Sequence, residues 1–206
     1  MQKFVVTIAR GYGSGGRTIG QMLAESLGIK SYDREIIRMA SEESGISEAL
    51  FGIADEKLPN PFMRYTKGVY KGKIITPDQE DYVSNDNLFN LQAKVVRRLA
   101  QQENCVIIGR CADYILKEEK NVLRVYVHAP LESCVETLLS MSSLTPKEAE
   151  KRILKIDKNR AYYYKHYTGR EWDNAGNYDL CLNSKDLGFE KCVEIIKDVL
   201  KIRFSD

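Results

Sequence analysis

The chain has 206 residues, 43% of them hydrophobic, and a formal net charge of +2. That length and apolar content suit one domain around a single core, and so mild a charge gives no argument for nucleic acid, which is not expected as a partner, so that any cationic site must be local. The five cysteines show no C-x-x-C spacing, Cys105, Cys134 and Cys181 fall inside apolar strand or helix patterns, no apolar run approaches a membrane span, and the run from Phe4 to Ala9 is too short for a signal sequence, so the expectation is a reduced, cytoplasmic protein.

The first readable unit is F-V-V-T-I-A-R-G-Y-G-S-G-G-R-T-I-G, residues 4 to 20. An apolar strand pattern gives way to glycines at 11, 13, 15 and 16, then to Ile19, Leu23 and Leu27 at helical spacing. Glycines let the backbone turn with positive φ and approach a ligand closely, so N–H groups and the positive end of the helix converge on one point. A phosphate is the natural occupant. Two motifs overlap there. Gly11, Gly16, Arg17 and Thr18 fit G-x-x-x-x-G-K-[ST] with arginine in place of lysine, whereas Gly11, Gly13 and Gly16, with Asp33 further on, fit the dinucleotide pattern G-x-G-x-x-G.

Gly28 stops the first helix, and I-K-S-Y-D supplies a short second strand ending at Asp33. Asp33 reads either as the N-cap of a helix with core face Ile36, Ile37 and Ala40, or, with Arg34, as a group facing the ligand crevice of an open α/β sheet. Residues 44 to 85 are punctuated by glycine and proline; a short helix near 47 to 54 and a looped segment are expected, in which Lys67, Lys71 and Lys73, with Tyr65 and Tyr70 between them, form either a solvated loop or a contact to an anionic substrate.

Asp86 is read as the cap of a helix carrying Leu88, Leu91, Val95, Val96 and Leu99. C-V-I-I-G-R then reads as a central parallel strand buried on both faces, with Gly109 and Arg110 at its carboxyl end, where Arg110 can pair with a phosphate and Asp113 can orient it or touch a sugar hydroxyl. V-L-R-V-Y-V-H-A is the next strand, Pro130 opens the helix after it, and His128 is assigned no role.

Thr145, Pro146 and Glu148 form a capping box that starts a long basic helix. Ala149, Ile153, Ile156 and Ala161 keep a narrow apolar stripe, while Lys151, Arg152, Lys155, Lys158, Arg160 and Lys165 load the rest with positive charge. Such a helix is either a solvated face or a lid that delivers arginines to a transferring phosphoryl group, with T-G-R presenting Arg170 as a further cation. Y-D-L-C-L-N-S is a fifth strand and Phe189 to Leu200 a closing amphipathic helix, which makes the chain α/β with a parallel sheet covered on both faces.

Together, R-G-Y-G-S-G-G-R-T, Y-D-R-E-I-I, V-I-I-G-R-C-A-D-Y-I-L, D-K-N-R-A-Y-Y-Y, Y-T-G-R-E-W-D and Y-D-L-C-L-N-S resemble the P-loop nucleoside monophosphate kinases, most closely the cytidylate kinase-like group. The resemblance implies a three-layer P-loop kinase fold with a five-stranded parallel sheet and a helical lid. It treats 1–206 as a single domain, with about 45–85 as acceptor-site insertion and about 145–172 as lid. It also implies ATP with Mg²⁺ as phosphoryl donor and CMP or dCMP as acceptor. Carried over residue by residue, it puts Gly11, Tyr12, Gly13, Ser14, Gly15, Gly16 and Arg17 on the donor phosphates and Thr18 on the metal. Asp33, Arg34, Arg110 and Asp113 fall on the acceptor, and Arg17, Arg152, Arg160 and Arg170 on the transition state. Arg17 stands where the family loop has lysine, and Cys111 where an aspartate follows G-R. Three other readings stay open: a kinase for a non-nucleotide small molecule, a non-catalytic nucleotide sensor, and a dinucleotide-dependent oxidoreductase built on Gly11, Gly13, Gly16 and Asp33.

Overall fold

The computed structural model describes residues 2–56, 70 and 72–205. Five strands, β1 (Val5–Arg10), β2 (Lys30–Tyr32), β3 (Cys105–Ile108), β4 (Val122–His128) and β5 (Leu180–Asn183), form one sheet in the order β2-β3-β1-β4-β5. Each neighbouring pair is parallel, with Val5 opposite both Cys105 and Val122. That register brings the ends of β1, β3 and β4, and with them Gly11, Gly109 and His128, to one carboxyl edge.

Alternation along the strands divides the core between the two faces. Val6, Ile8, Val106, Ile108, Leu123 and Val125 meet α1 (Gly16–Leu27) and α9 (Phe189–Phe204) through Ile19, Leu23, Val193 and Ile196. Val5, Cys105, Ile107 and Val122 meet Ile36 of α2 (Glu35–Ser44), Leu88 and Val95 of α4 (Asn85–Gln102) and Ile115 of α5 (Ala112–Ile115) on the other face. The result is the three-layer α/β arrangement of the P-loop kinases. The order also removes the dinucleotide-binding reading: β3 lies between β1 and β2, whereas a dinucleotide fold pairs its first two strands directly.

Three local expectations change. Helix α4 is capped by Ser84, whose extended backbone lets its Oγ accept from Asn87 N–H at 3.3 Å; Asp86 falls in the first turn and faces His166 instead. Asp33 caps nothing, because α2 begins at Glu35 with Arg34 in the cap position and no side-chain cap bond. Cys181 is exposed, since β5 is an edge strand. The stretch before α4 follows from one buried amide: Asn87 accepts from Ile75 N–H at 2.8 Å and donates to the carbonyls of Ile75 and Tyr82.

The short helix expected near 47 to 54 is α3 (Glu48–Glu56). Lys73 is exposed and Tyr70 stands edge-on to Phe89, while Tyr65, Lys67 and Lys71 lie outside the described residues. Two further helices stand beyond the sheet edge, α6 (Leu131–Ser140) and the long α7 (Pro146–Thr168), which begins with the expected capping box and ends at Gly169 with φ 72°. They pack on each other in a cluster of their own, with Ala149 and Ile153 on Cys134 and Leu138. The last two turns of α7 instead enter the main core, where Tyr167 stacks on Phe89 with ring centroids 3.9 Å apart. A short helix, α8 (Ser184–Leu187), joins β5 to α9.

Candidate phosphate-transfer site

The glycine loop is pinned to the sheet by its own backbone. Gly11 N–H donates to the Val127 carbonyl at 3.0 Å, Ser14 Oγ donates to the carbonyls of Gly11 and Val127, and Ser184 Oγ donates to the Ser14 carbonyl at 2.6 Å. Two glycines are obligatory. Gly13 has φ 86° and a Cβ there would meet the Cys134 carbonyl at 2.8 Å; Gly15 has φ 75° and a Cβ there would stand 2.2 Å from the Phe189 ring. Helix α1 then starts with Gly16 buried and with Arg17 and Thr18 exposed. No acidic side chain occupies its first turn, so the positive end of the helix is left for an incoming anion.

The chain reverses sharply at the end of β3. Gly109, Arg110 and Cys111 all have positive φ, at 76°, 61° and 52°. Two successive non-glycine residues in the left-handed region are strained, and strain of this kind collects where a structure must present a side chain. Here it brings Arg110 into the crevice at the sheet edge, where Arg110 Nη1 donates to Gln92 Oε1 at 3.4 Å. Burial depresses its pKa.

Helix α7 closes the opposite side. Asp157 Oδ1 accepts from Tyr12 N–H at 2.8 Å and from Arg160 Nη1 at 3.3 Å, and Arg160 also donates to the Arg10 carbonyl at 3.0 Å while lying over the Tyr12 ring. Burial raises the pKa of Asp157 and lowers that of Arg160, with Asp157 opposing the latter change. Between loop, β3 and α7 lies a cleft of about 380 Å³ whose walls include Arg10, Arg34, Arg110, Arg152 and Arg160. Five guanidinium groups around one small cleft select a multiply charged anion, and planar forks suit phosphate oxygens.

Among the anticipated residues, Gly11 to Gly16, Arg34, Arg110, Arg152 and Arg160 gather at this edge. Asp33 joins them through ion pairs, 3.1 Å to Arg17 Nε and 3.6 Å to Arg10 Nη2. Arg17 is thus turned toward Asp33, with its side chain 54% exposed. Asp113 lines the cleft, but its carboxylate accepts from Tyr164 Oη at 2.6 Å, and burial raises its pKa. Arg170 is not brought in: its guanidinium lies 5.3 Å from the centre of the Tyr114 ring, and it does not line the cleft. Sequence reasoning passed over Arg10 and left Asp157 without a role. For Arg10 a signal existed, a charged residue closing an otherwise buried apolar strand immediately before the loop.

Among the described residues no group of three or more His, Cys, Asp or Glu side chains could hold a metal, and no helix is long and apolar enough to cross a membrane. The Thr18 hydroxyl, exposed in the first turn of α1, fits Mg²⁺, a cation that takes few protein oxygens and keeps phosphate and water for the rest.

The model of the cytidylate kinase-like family matches residues 5–186. A cytidylate kinase of Methanosarcina barkeri is 25% identical over 194 residues that cover 93% of both chains. A cytidylate kinase of Methanopyrus kandleri is 25% identical over 203 residues, 94% of this chain and 91% of that one. Among solved structures, an uncharacterized protein from Eubacterium ventriosum has TM-score 0.72 and 20% identity, with 98% of this chain and 100% of the other covered. A shikimate kinase from Bacteroides thetaiotaomicron has TM-score 0.55 and 12% identity, with 96% and 98% covered.

Proposed function

The chain belongs to the cytidylate kinase-like family, a phosphotransferase of the nucleotide-kinase type, and from that premise we propose that it transfers the γ-phosphoryl group of ATP to a nucleoside monophosphate, CMP or dCMP. The observation that carries the proposal is the arginine-lined cleft opening between a glycine loop and a basic helix. An acceptor phosphate oxygen attacks the γ-phosphorus in line, the bond to the bridging oxygen of ADP breaks, and no covalent enzyme intermediate forms. Such chemistry asks a protein for positioning and charge neutralisation, which arginines and backbone N–H groups supply.

In this reading the loop from Gly11 to Gly16 cradles the donor phosphates, and Arg110 with Arg34 receives the acceptor phosphate. Arg152 and Arg160 stabilise the charge of the transferring group. Thr18 would hold Mg²⁺, which when bound to the nucleotide neutralises phosphate charge. Arg17 leaves Asp33 to meet the donor phosphates. The segment at about 45–85 shapes the acceptor pocket, and the first turns of α7, which pack on α6 and Tyr12 of the loop, move as the lid while the last turns stay anchored in the core.

The test is ADP release from Mg·ATP with a panel of ribo- and deoxynucleoside monophosphates, the Arg17→Ala variant run beside the natural chain. CMP or dCMP should be the preferred acceptor, and the variant should turn over about 10²-fold more slowly, the loss expected when one electrostatic stabiliser is removed. ATP binding without ADP release on any monophosphate would reject the nucleotide acceptor.

A further inference from the structure

Arg10 is a cleft arginine that stands between the donor loop and the acceptor arginine. It is the last residue of β1, one position before Gly11, and its side chain crosses the sheet edge to β3. A Cβ on Gly109 would lie 2.2 Å from Arg10 Nη1, so only a glycine leaves room for the guanidinium where it sits. Nη2 lies 3.6 Å from Asp33 Oδ1, a loose ion pair on a carboxylate that Arg17 holds more closely. The Arg10 carbonyl is tied to Arg160, so the residue is fixed from both its main chain and its side chain.

The surroundings make this an expensive place for a cation. Burial pushes the Arg10 pKa down to about 9, Arg160, Arg110 and Arg17 add to the effect, and Asp33 opposes it. At neutral pH the group is still charged. Arg10 shares the cleft wall with Arg34, Arg110, Arg152 and Arg160, and its own pair with Asp33 is a long one at 3.6 Å, so a phosphate entering the cleft meets several guanidinium groups at once. A folded protein that stores positive charge in this way gains most from an anion placed among the guanidiniums.

We infer that Arg10 is a phosphate ligand of the transfer site, contacting the phosphoryl group as it passes from the loop to the acceptor held by Arg110. This rests on the phosphoryl-transfer reading and adds to it a cation on the acceptor side of the loop, where Arg17 stands on the helix side. It also gives Asp33 a function, as the counter-ion shared by Arg10 and Arg17 until phosphate arrives.

Calorimetric titration of inorganic pyrophosphate into the full chain, its Arg10→Met and Arg10→Lys variants, and Lys191→Met as a surface control reads the inference without an acceptor. Affinity should fall at least about 10-fold in Arg10→Met and recover in part in Arg10→Lys, which restores charge without the fork, while the control binds as the natural chain does. Turnover with CMP should fall about 10²-fold in Arg10→Met. Pyrophosphate binding within about 2-fold of the natural chain in both Arg10 variants would overturn the assignment. If no monophosphate is turned over but pyrophosphate binding still weakens in Arg10→Met, Arg10 stands as a phosphate ligand and the nucleotide acceptor falls.

Discussion

If Arg10 is held as a cation for the sake of an absent phosphate, removing its charge should stabilise the protein while it is empty. Arg10→Met keeps much of the aliphatic stem that packs along the cleft floor and deletes the guanidinium. Folding lowers the pKa from the ordinary guanidinium range to about 9, and at about 1.4 kcal/mol for each pH unit the charged form is penalised by at most roughly 5 kcal/mol. With 19% of the side chain still exposed and an effective permittivity near 20, about 1–2 kcal/mol of that is realistic. For a base whose pKa is lowered by folding, the penalty is fully present below the native value near 9 and fades as pH rises toward the ordinary guanidinium range, so neutral pH shows all of it. For a chain of this length that corresponds to a rise in Tm of about 2–8 °C. Thermal unfolding followed by circular dichroism in phosphate-free buffer at neutral pH measures it, and added pyrophosphate should then raise the Tm of the natural chain more than that of the variant. A variant melting more than about 2 °C below the natural chain in the empty state would refute the reasoning, because the Arg10–Asp33 pair would then be a net structural support.

Gly15→Ala combines a left-handed backbone with a Cβ that would sit 2.2 Å from the Phe189 ring; a loss of about 2–4 kcal/mol in urea unfolding is expected, and a loss under about 0.5 would mean that the loop can relax away from α9. Asp113→Asn tests the pH dependence of the core. Burial raises the Asp113 pKa, so the native chain holds that proton more tightly than the unfolded one; the natural protein should lose stability as pH rises from the ordinary carboxylate range through the raised native value. The amide can still accept from Tyr164 Oη, so urea midpoints should coincide near pH 4 and favour Asp113→Asn at neutral pH, and parallel curves across that range would count against the assignment.

Much of this molecule is written locally. The apolar run of β1, the glycines after it and the apolar stripe of α1 announce a strand, an anion loop and a helix in one short stretch, because each depends on neighbouring residues alone. The same holds for the capping box of α7 and for Gly28, Gly45 and Gly169, whose positive φ ends three helices. The family resemblance rested on motifs of this kind, and the five parallel strands followed from their alternation with helices.

What local pattern could not decide was which side chains meet. The order β2-β3-β1-β4-β5 puts β3 beside β1, and that placement excludes a dinucleotide fold and lays Arg10 against Gly109, residues 99 positions apart. Helix α7 reads as a basic helix with a narrow apolar stripe, yet packing divides it further: Tyr164 and Tyr167 are core residues, Asp157 and Arg160 hold the loop, and the turn after its end carries Arg170 to Tyr114 and out of the cleft. Asp33 read equally as a helix cap or as a group facing the ligand crevice, and only the convergence of two arginines from β1 and α1 on it made it a counter-ion. The sequence by itself determined the fold class and the loop, since backbone conformation and burial follow from short-range pattern; tertiary structure alone chose the cluster of guanidiniums, because electrostatic partners are assembled across strands that only the folded sheet brings together.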